Sequence, residues 1–245
     1  MSGLWLFPLV PAVVTGASGC YLSRFLEHEG HRAPMILTVA GITLCCGISL
    51  ALPVIGIYFY RLIAHDFVPK DIIISSFLPV GPLGQGTYGI IQMGWAFQEV
   101  IGDKYAPGFG NSAFSVCLVI AYFLWGYGLY YLVFAFTSVF LRMPEKIPYN
   151  LGWWGLTFPI GVFTAGTMNI AVATDSRFFR GLTAFFVCIL VINWFIAAIN
   201  TLARIYTGSL FKAPEIQAQL PKNPGLEMQI SSTYTDTTHC DTQAV

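Results

Sequence analysis

Six long apolar stretches alternate with short polar segments along the chain. None of the six contains Asp, Glu, Lys, Arg or His. A spanning helix needs about 20 mostly apolar residues, and a charge at the bilayer centre costs roughly 3 kcal/mol. The pattern therefore predicts an all-α integral membrane protein, with six transmembrane helices paired as three helical hairpins. The predicted spans are residues 4–20, 35–60, 72–97, 113–141, 151–174 and 181–203.

The composition excludes several classes of function. Charged residues make up 10% of the chain, against about 25% in ordinary soluble proteins. The net charge is zero, which leaves no basic surface for nucleic acid. The cysteines lack the spacing of a metal or redox centre, and the G-x-G-x-x-G string at 84–89 lacks the preceding strand of a nucleotide site. We expect no cofactor and no metal.

The last part of the chain differs from the rest. Residues 207–245 are rich in Pro, Ser, Thr and Gln, a composition that cannot bury a core and predicts a disordered tail. If this tail is cytoplasmic, seven of the 12 Lys and Arg residues lie on the inner side and five on the outer side. This bias favours a cytoplasmic C-terminus.

A local pattern recurs in the first, third and fifth stretches. Each has Phe or Leu before a proline, then an aliphatic residue and a cluster of small residues, and the prolines are Pro8, Pro79 and Pro159. Proline kinks a helix and removes a backbone donor, and irregular backbone at membrane depth is tolerated where it lines a cavity or is buried in protein. We infer an inner ring of odd helices around a passage, with the even helices facing lipid. The alternative is that the small residues are helix-packing notches.

The candidate lining of this passage is polar but uncharged. Such a lining suits a small anion that must bind weakly and leave again. The residues predicted to face the passage are Pro8, Thr15, Ser18, Pro79, Gly84, Gln85, Thr87, Thr157, Pro159, Thr164 and Thr167, with Gln92 and Asn169 as further polar candidates. A dicarboxylate substrate would favour an arginine in or near the passage. The nearest are Arg24, Arg177 and Arg180 at the predicted external mouths, where we interpret them as ordinary loop charges.

Two strings resemble a known family. They are Pro-Val-Gly-Pro-Leu-Gly-Gln-Gly at 79–86 and Tyr-Asn-Leu-Gly-Trp-Trp-Gly-Leu-Thr-Phe-Pro-Ile-Gly-Val-Phe at 149–163. They are similar to the tellurite-resistance/dicarboxylate transporter family, which includes plant slow anion channels and yeast malate permeases. The resemblance covers about residues 4–206 and is strongest to the family's fungal sulfite efflux pumps.

The resemblance implies a partial version of a larger fold. Family members have ten spanning helices in five hairpins, with the odd helices lining a central pore, and members of known structure are homotrimers. The six stretches here correspond to the fifth to tenth helices, so we do not expect one copy to close a pore. In the anion channels a Phe in a string similar to Thr-Phe-Pro plugs the pore, and by this motif Phe158 is the expected pore gate.

The resemblance implies a plasma-membrane anion transporter that exports sulfite. The alternatives are a dicarboxylate carrier or an anion channel of the same family, and a non-transporting interaction subunit. We do not expect an enzyme, because intramembrane hydrolysis needs a nucleophile paired with a base and the stretches contain no His or Asp.

Overall fold

The computed structural model describes residues 3–26, 31–64, 70–142 and 151–206. Within these ranges the chain forms six α-helices and no strand, which confirms the predicted fold class. The predicted tail at 207–245 lies outside the described residues. The helices are α1 (Val10–Phe25), α2 (Arg32–Ala64), α3 (Val80–Ala96), α4 (Phe109–Arg142), α5 (Thr157–Thr174) and α6 (Arg177–Tyr206).

Each odd helix is preceded by a short 3₁₀ helix, at Gly3–Leu6, Lys70–Phe77 and Leu151–Leu156. Pro8 and Pro79 lie in the turns between the first two of these 3₁₀ helices and α1 and α3, and Pro159 lies in the first turn of α5. Proline has no N–H to donate, so the start of a helix is where it is tolerated. The first two odd stretches are therefore broken by a turn at the proline, whereas the third passes directly from its 3₁₀ helix into α5.

Four segments of the described residues are long and apolar enough to cross a membrane, judged by length and composition. They are Arg32–Leu62, Phe109–Leu141, Gly152–Thr174 and Arg177–Tyr206. As single α-helices, α1 and α3 have 16 and 17 residues, or about 24–26 Å at 1.5 Å per residue. These two helices alone are too short to cross about 30 Å of hydrocarbon. That the first and third stretches span the membrane stays a prediction, and it requires the preceding 3₁₀ helices to contribute to the span.

The odd helices contact one another in the order α1, α3, α5, and the even helices α2 and α4 pack against them. This packing belongs to the compact unit of residues 1–200, and residues 201–206 of α6 belong to a second unit. Glycine permits the closest approaches. A Cβ on Gly16 of α1 would lie 2.5 Å from the backbone nitrogen of Leu44 in α2, and one on Gly84 of α3 would lie 2.7 Å from the backbone of Phe163 in α5.

Aromatic side chains join α4, α5 and α6. The Trp125 indole of α4 stacks on Phe163 at a centroid distance of 5.8 Å, and its N–H donates to the Thr167 hydroxyl at 2.9 Å. Phe179 and Phe186 of α6 meet Trp125 and Phe163 edge to face, at 5.2 and 5.4 Å. Ring contacts therefore attach α6, most of whose surface is exposed.

Candidate functional site: the inner face of α3

Helix α3 is enclosed on three sides by other helices. Its Gly89 faces Ala17 of α1 and Leu44 of α2, and its Gly84 faces Phe163 of α5. Its Gly94 faces Cys117 and Phe114 of α4. The remaining side carries Gly81, Gln85, Tyr88, Gln92 and Trp95, whose alternating spacing of four and three residues places them on one helix face. We call this set the inner face of α3.

The inner face of α3 is polar at its centre. Gln85 and Gln92 are buried, with relative exposures of 8% and 4%, and Tyr88 lies between them and is partly buried. Side-chain amides offer both donors and acceptors. The two glutamines can therefore exchange hydrogen bonds with a small ion or its water without adding a fixed charge.

Phe158 of α5 covers one end of the inner face. An atom of its ring lies 3.3 Å from the position that a Cβ would occupy on Gly81. The ring is nevertheless 40% exposed, because its other side borders an apolar groove between α5 and α6. Thr157, Leu190, Val191 and Trp194 line the rest of that groove. The Phe158 ring therefore contacts the first turn of α3 at Gly81 and has open space on its other side.

Arg24 of α1 covers the other end. Its Nε and Nη2 donate to the two carboxylate oxygens of Glu99 at 2.6 and 2.7 Å, and its Nη1 donates to the Gln92 side-chain oxygen at 2.8 Å. The guanidinium carbon lies 5.0 Å from the Trp95 ring centroid, which is a cation–π distance. Arg24 therefore contacts the inner face through Gln92 and Trp95, and it also contacts the segment that follows α3.

A π-helical turn at Phe97–Ile101 places Glu99. The turn ends at Gly102, whose N–H donates to the Phe97 carbonyl at 2.9 Å and whose φ is +53°. Single π turns are rare in proteins, and those that do occur are often found at functional sites. Here the turn brings a carboxylate to the end of the inner face.

The structure places the predicted lining residues and the predicted gate in different environments. Pro8, Thr15, Ser18 and Phe158 are exposed, Gln85 lies on the inner face of α3, and Thr157 is partly buried. The others are buried within the described residues, namely Pro79, Gly84, Thr87, Pro159, Thr164 and Thr167.

The buried threonines have local partners. The hydroxyls of Thr87, Thr164 and Thr167 donate to the backbone carbonyls of Leu83, Ile160 and Phe163, four residues earlier, at 2.7–2.8 Å. Thr87 also packs against Gly166 of α5, because a Cβ added to Gly166 would lie 3.1 Å from the Cβ of Thr87. Thr87 and Thr167 lie where helices pack together, Thr87 against Gly166 of α5 and Thr167 against Trp125 of α4.

Asn169 has a different environment from those threonines. It lies on the same face of α5 as Phe158, three turns further along, and is 9% exposed. Its side-chain nitrogen has no hydrogen-bond partner among the described residues. A buried amide donor without a partner is costly, so this group is available to a ligand.

The interpretation of Arg24 as an ordinary loop charge is wrong, because its guanidinium is bonded to Gln92 and Glu99. Sequence reasoning also left out Glu99, Tyr88 and Trp95. The available signal was their spacing with Gln85 and Gln92, which places an aromatic and amide stripe on one face of α3. No group of three His, Cys, Asp or Glu residues suited to a metal occurs in the part of the chain that the structure describes.

The odd helices, their even partners and the amide-lined face define an α-helical membrane protein. The chain belongs to the voltage-dependent anion channel family, which matches residues 1–202. This family is the one that the strings at 79–86 and 149–163 indicated, the tellurite-resistance/dicarboxylate transporter family with its slow anion channels, so that prediction is confirmed.

Several relatives are named as transporters. The chain is 37% identical over 214 residues to "Sulfite efflux pump SSU1" of Arthroderma benhamiae, covering 86% of this chain and 56% of that protein. It is 24% identical over 201 residues to the protein of the same name from Saccharomyces cerevisiae, covering 70% and 44%. It is 24% identical over 213 residues to "Uncharacterized transporter MJ0762" of Methanocaldococcus jannaschii, covering 85% and 57%. The chain thus spans about half the length of these relatives. No solved structure matches it.

Proposed function

We propose that this chain forms part of a plasma-membrane anion transporter that exports sulfite. The inner face of α3 carries the proposal: two buried amides lie between an aromatic ring at one end and an arginine at the other. The names of the fungal relatives support sulfite as the substrate.

The chemistry of this face suits transport better than tight binding. Gln85 and Gln92 offer neutral dipoles, and the Arg24–Glu99 pair has no net charge. Conduction requires a site favourable enough to enter and weak enough to leave. An unpaired cation at the same depth would hold an anion more strongly and slow its release.

Sulfite export by intact cells tests the proposal. Cells that lack their own exporter would carry the chain or an empty vector, and both sulfite tolerance and released sulfite would be measured. Because one copy of the chain is not expected to close a pore, we expect greater tolerance and release when the chain is co-expressed with the first four helices of a ten-helix family member, and no change with the chain alone. If both parts reach the membrane and neither tolerance nor release changes, a non-transporting subunit is favoured. Export of malate in preference to sulfite would favour the dicarboxylate carrier.

Phe158 is proposed as the gate of the passage. Its ring rests on Gly81, where the absence of a side chain leaves room for the ring, and its exposed side gives it space to move. In a ten-helix parent protein that contains this segment, Phe158→Ala should raise passive sulfite flux into proteoliposomes severalfold. Phe185→Ala is the matched control, because Phe185 is an exposed ring on α6, and it should leave the flux unchanged.

The gate proposal fails if Phe158→Ala protein is folded and its flux equals that of the wild type. A packing role predicts a different result, namely a loss of stability without added flux. Fully buried Phe→Ala changes cost about 3–5 kcal/mol, and the partial exposure of Phe158 should make its cost smaller. Melting temperature measured beside flux separates the two roles.

The topology and the assembly are proposed from the charge distribution and the family resemblance. The charge bias supports a cytoplasmic C-terminus, so a C-terminal epitope tag should react with antibody only after cells are permeabilised. The homotrimer comes from the family resemblance. Cross-linking in native membranes should give a species of three chains.

A further inference from the structure

The Arg24–Glu99 contact has the geometry of an arginine bound to an oxyanion. Two N–H groups of the guanidinium meet two oxygens of one carboxylate at 2.6 and 2.7 Å. Such two-pronged contacts are how arginine recognises carboxylates and related oxyanions. Glu99 therefore occupies the place that two oxygens of a sulfite or carboxylate ion would take.

We propose that Arg24 is an oxyanion-docking residue at one end of the inner face of α3, and that Glu99 is its displaceable internal competitor. An incoming oxyanion replaces the Glu99 carboxylate on the guanidinium. The inference rests on the proposed anion transport and adds to it the residue that first binds the anion at this end.

Two contacts keep Arg24 in place when Glu99 leaves. Nη1 donates to the Gln92 oxygen at 2.8 Å, and the guanidinium lies 5.0 Å from the Trp95 ring centroid. Both partners belong to the inner face of α3. The guanidinium can therefore exchange one anion for another while it remains directed at the same face.

The Glu99 contact is open enough to exchange. The Arg24 and Glu99 side chains are 25% and 34% exposed, and ion pairs accessible to water are weakly held. The π turn that carries Glu99 lies at the end of α3, next to the turn at Gly102. Displacement of Glu99 thus breaks a water-accessible ion pair and rotates its side chain toward solvent.

A purely structural role for the pair is the competing explanation. Arg24 belongs to α1, and Glu99 follows α3, so the ion pair also joins two helices. In that case a neutral pair that still hydrogen-bonds should preserve function. In the docking role, the positive charge of Arg24 is indispensable, whereas removal of the Glu99 charge should strengthen anion binding.

Binding can be measured without transport, through Trp95. The purified full chain in detergent would be titrated with sodium sulfite at constant ionic strength, with tryptophan fluorescence as the signal. Sodium chloride is the comparison anion, because a single atom cannot bridge the guanidinium as two oxygens do. Trp95→Phe identifies the part of the signal that comes from Trp95.

Four variants separate the roles. Glu99→Gln should lower the half-saturating sulfite concentration by about fivefold, the scale expected for an exposed ion pair. Arg24→Gln and the double variant Arg24→Gln/Glu99→Gln should both lose saturable sulfite binding. Lys104→Gln is the matched control, since this nearby cation bonds the Val100 carbonyl instead, and it should bind sulfite as the wild type does.

The outcomes are decisive in either direction. Restored binding in the double variant, no saturable Trp95 response in the wild type, or an equal loss in Lys104→Gln would each overturn the docking role. Sulfite binding that depends on Arg24, with no export even when the first four helices of a family member are co-expressed, would uphold this inference and overturn the proposed function. Export that is unaffected by Arg24→Gln would overturn this inference and uphold the proposed function.

Discussion

Gly84→Ala tests whether the close approach of α3 and α5 depends on the absence of a side chain. The added Cβ would lie 2.7 Å from both Cα and N of Phe163, whereas carbon atoms pack best at about 3.5–4.0 Å. Because the obstructing atoms are backbone, no rotamer change relieves the clash. The two helices must separate by roughly 1 Å to reach van der Waals contact.

The expected cost follows from this displacement. Overpacking of this kind costs about 1–3 kcal/mol, and the higher helix propensity of Ala offsets up to about 1 kcal/mol of it. The facing surface of α5 cannot relieve the clash by a local shift, because it is also close at Gly166. A Cβ added there would lie 2.9 Å from the Gly84 carbonyl oxygen. A net loss of about 1–2 kcal/mol corresponds to a melting temperature lower by about 2–8 °C.

The assay is thermal unfolding of the purified chain in detergent, followed by intrinsic fluorescence. Gly126→Ala in α4 is the matched control, because nothing lies within 4 Å of a Cβ at that position. It should melt at or above the wild-type temperature, since Ala favours the helix. If Gly84→Ala is as stable as Gly126→Ala, the tight crossing of α3 and α5 is refuted.

Two further predictions concern the contacts that α2 makes with α1 and with α4. Gly16→Ala should lower the melting temperature at least as much as Gly84→Ala, because its Cβ would lie 2.5 Å from the Leu44 backbone nitrogen; wild-type stability would contradict the α1–α2 packing. Tyr131→Phe should cost about 0.5–1.5 kcal/mol by the same assay, because its buried hydroxyl donates to the Ile55 carbonyl at 3.2 Å. The exposed Tyr130 supplies the control substitution to Phe, and equal melting of the two variants would count against that hydrogen bond.

The exclusion of charge from the apolar stretches was enough to predict the helices but not their ends. The predicted spans 35–60 and 181–203 stop short of the helices Arg32–Ala64 and Arg177–Tyr206. The stretches were bounded by charged residues, yet a charged side chain at a helix end can reach the polar interface while its backbone stays helical. Apolar boundaries therefore mark the hydrocarbon, and the helices continue beyond it.

The recurring prolines correctly singled out the odd stretches as different from the even ones. What composition could not decide was which side of each odd helix faces a passage. Thr87 and Thr167 look suitable for a polar lining, yet their hydroxyls donate to the carbonyls of Leu83 and Phe163 and their side chains pack between helices. Helical spacing of the longer polar side chains, Gln85 and Gln92, would have been the better guide.

The close helix packing at the glycines also determines which side chains contact the inner face of α3. Gly84 and Gly89 lie on opposite flanks of α3. Gly84 lets the backbone of α5 approach closely, and Gly89 leaves room for the Ala17 side chain of α1. Close flanking helices bring the long side chains of α1 and α5 within reach of the inner face of α3. Phe158 on Gly81 and Arg24 on Gln92 show this reach, at points about 16 Å apart along the helix. The small residues therefore act as packing notches, and by doing so they determine which larger residues meet the amides.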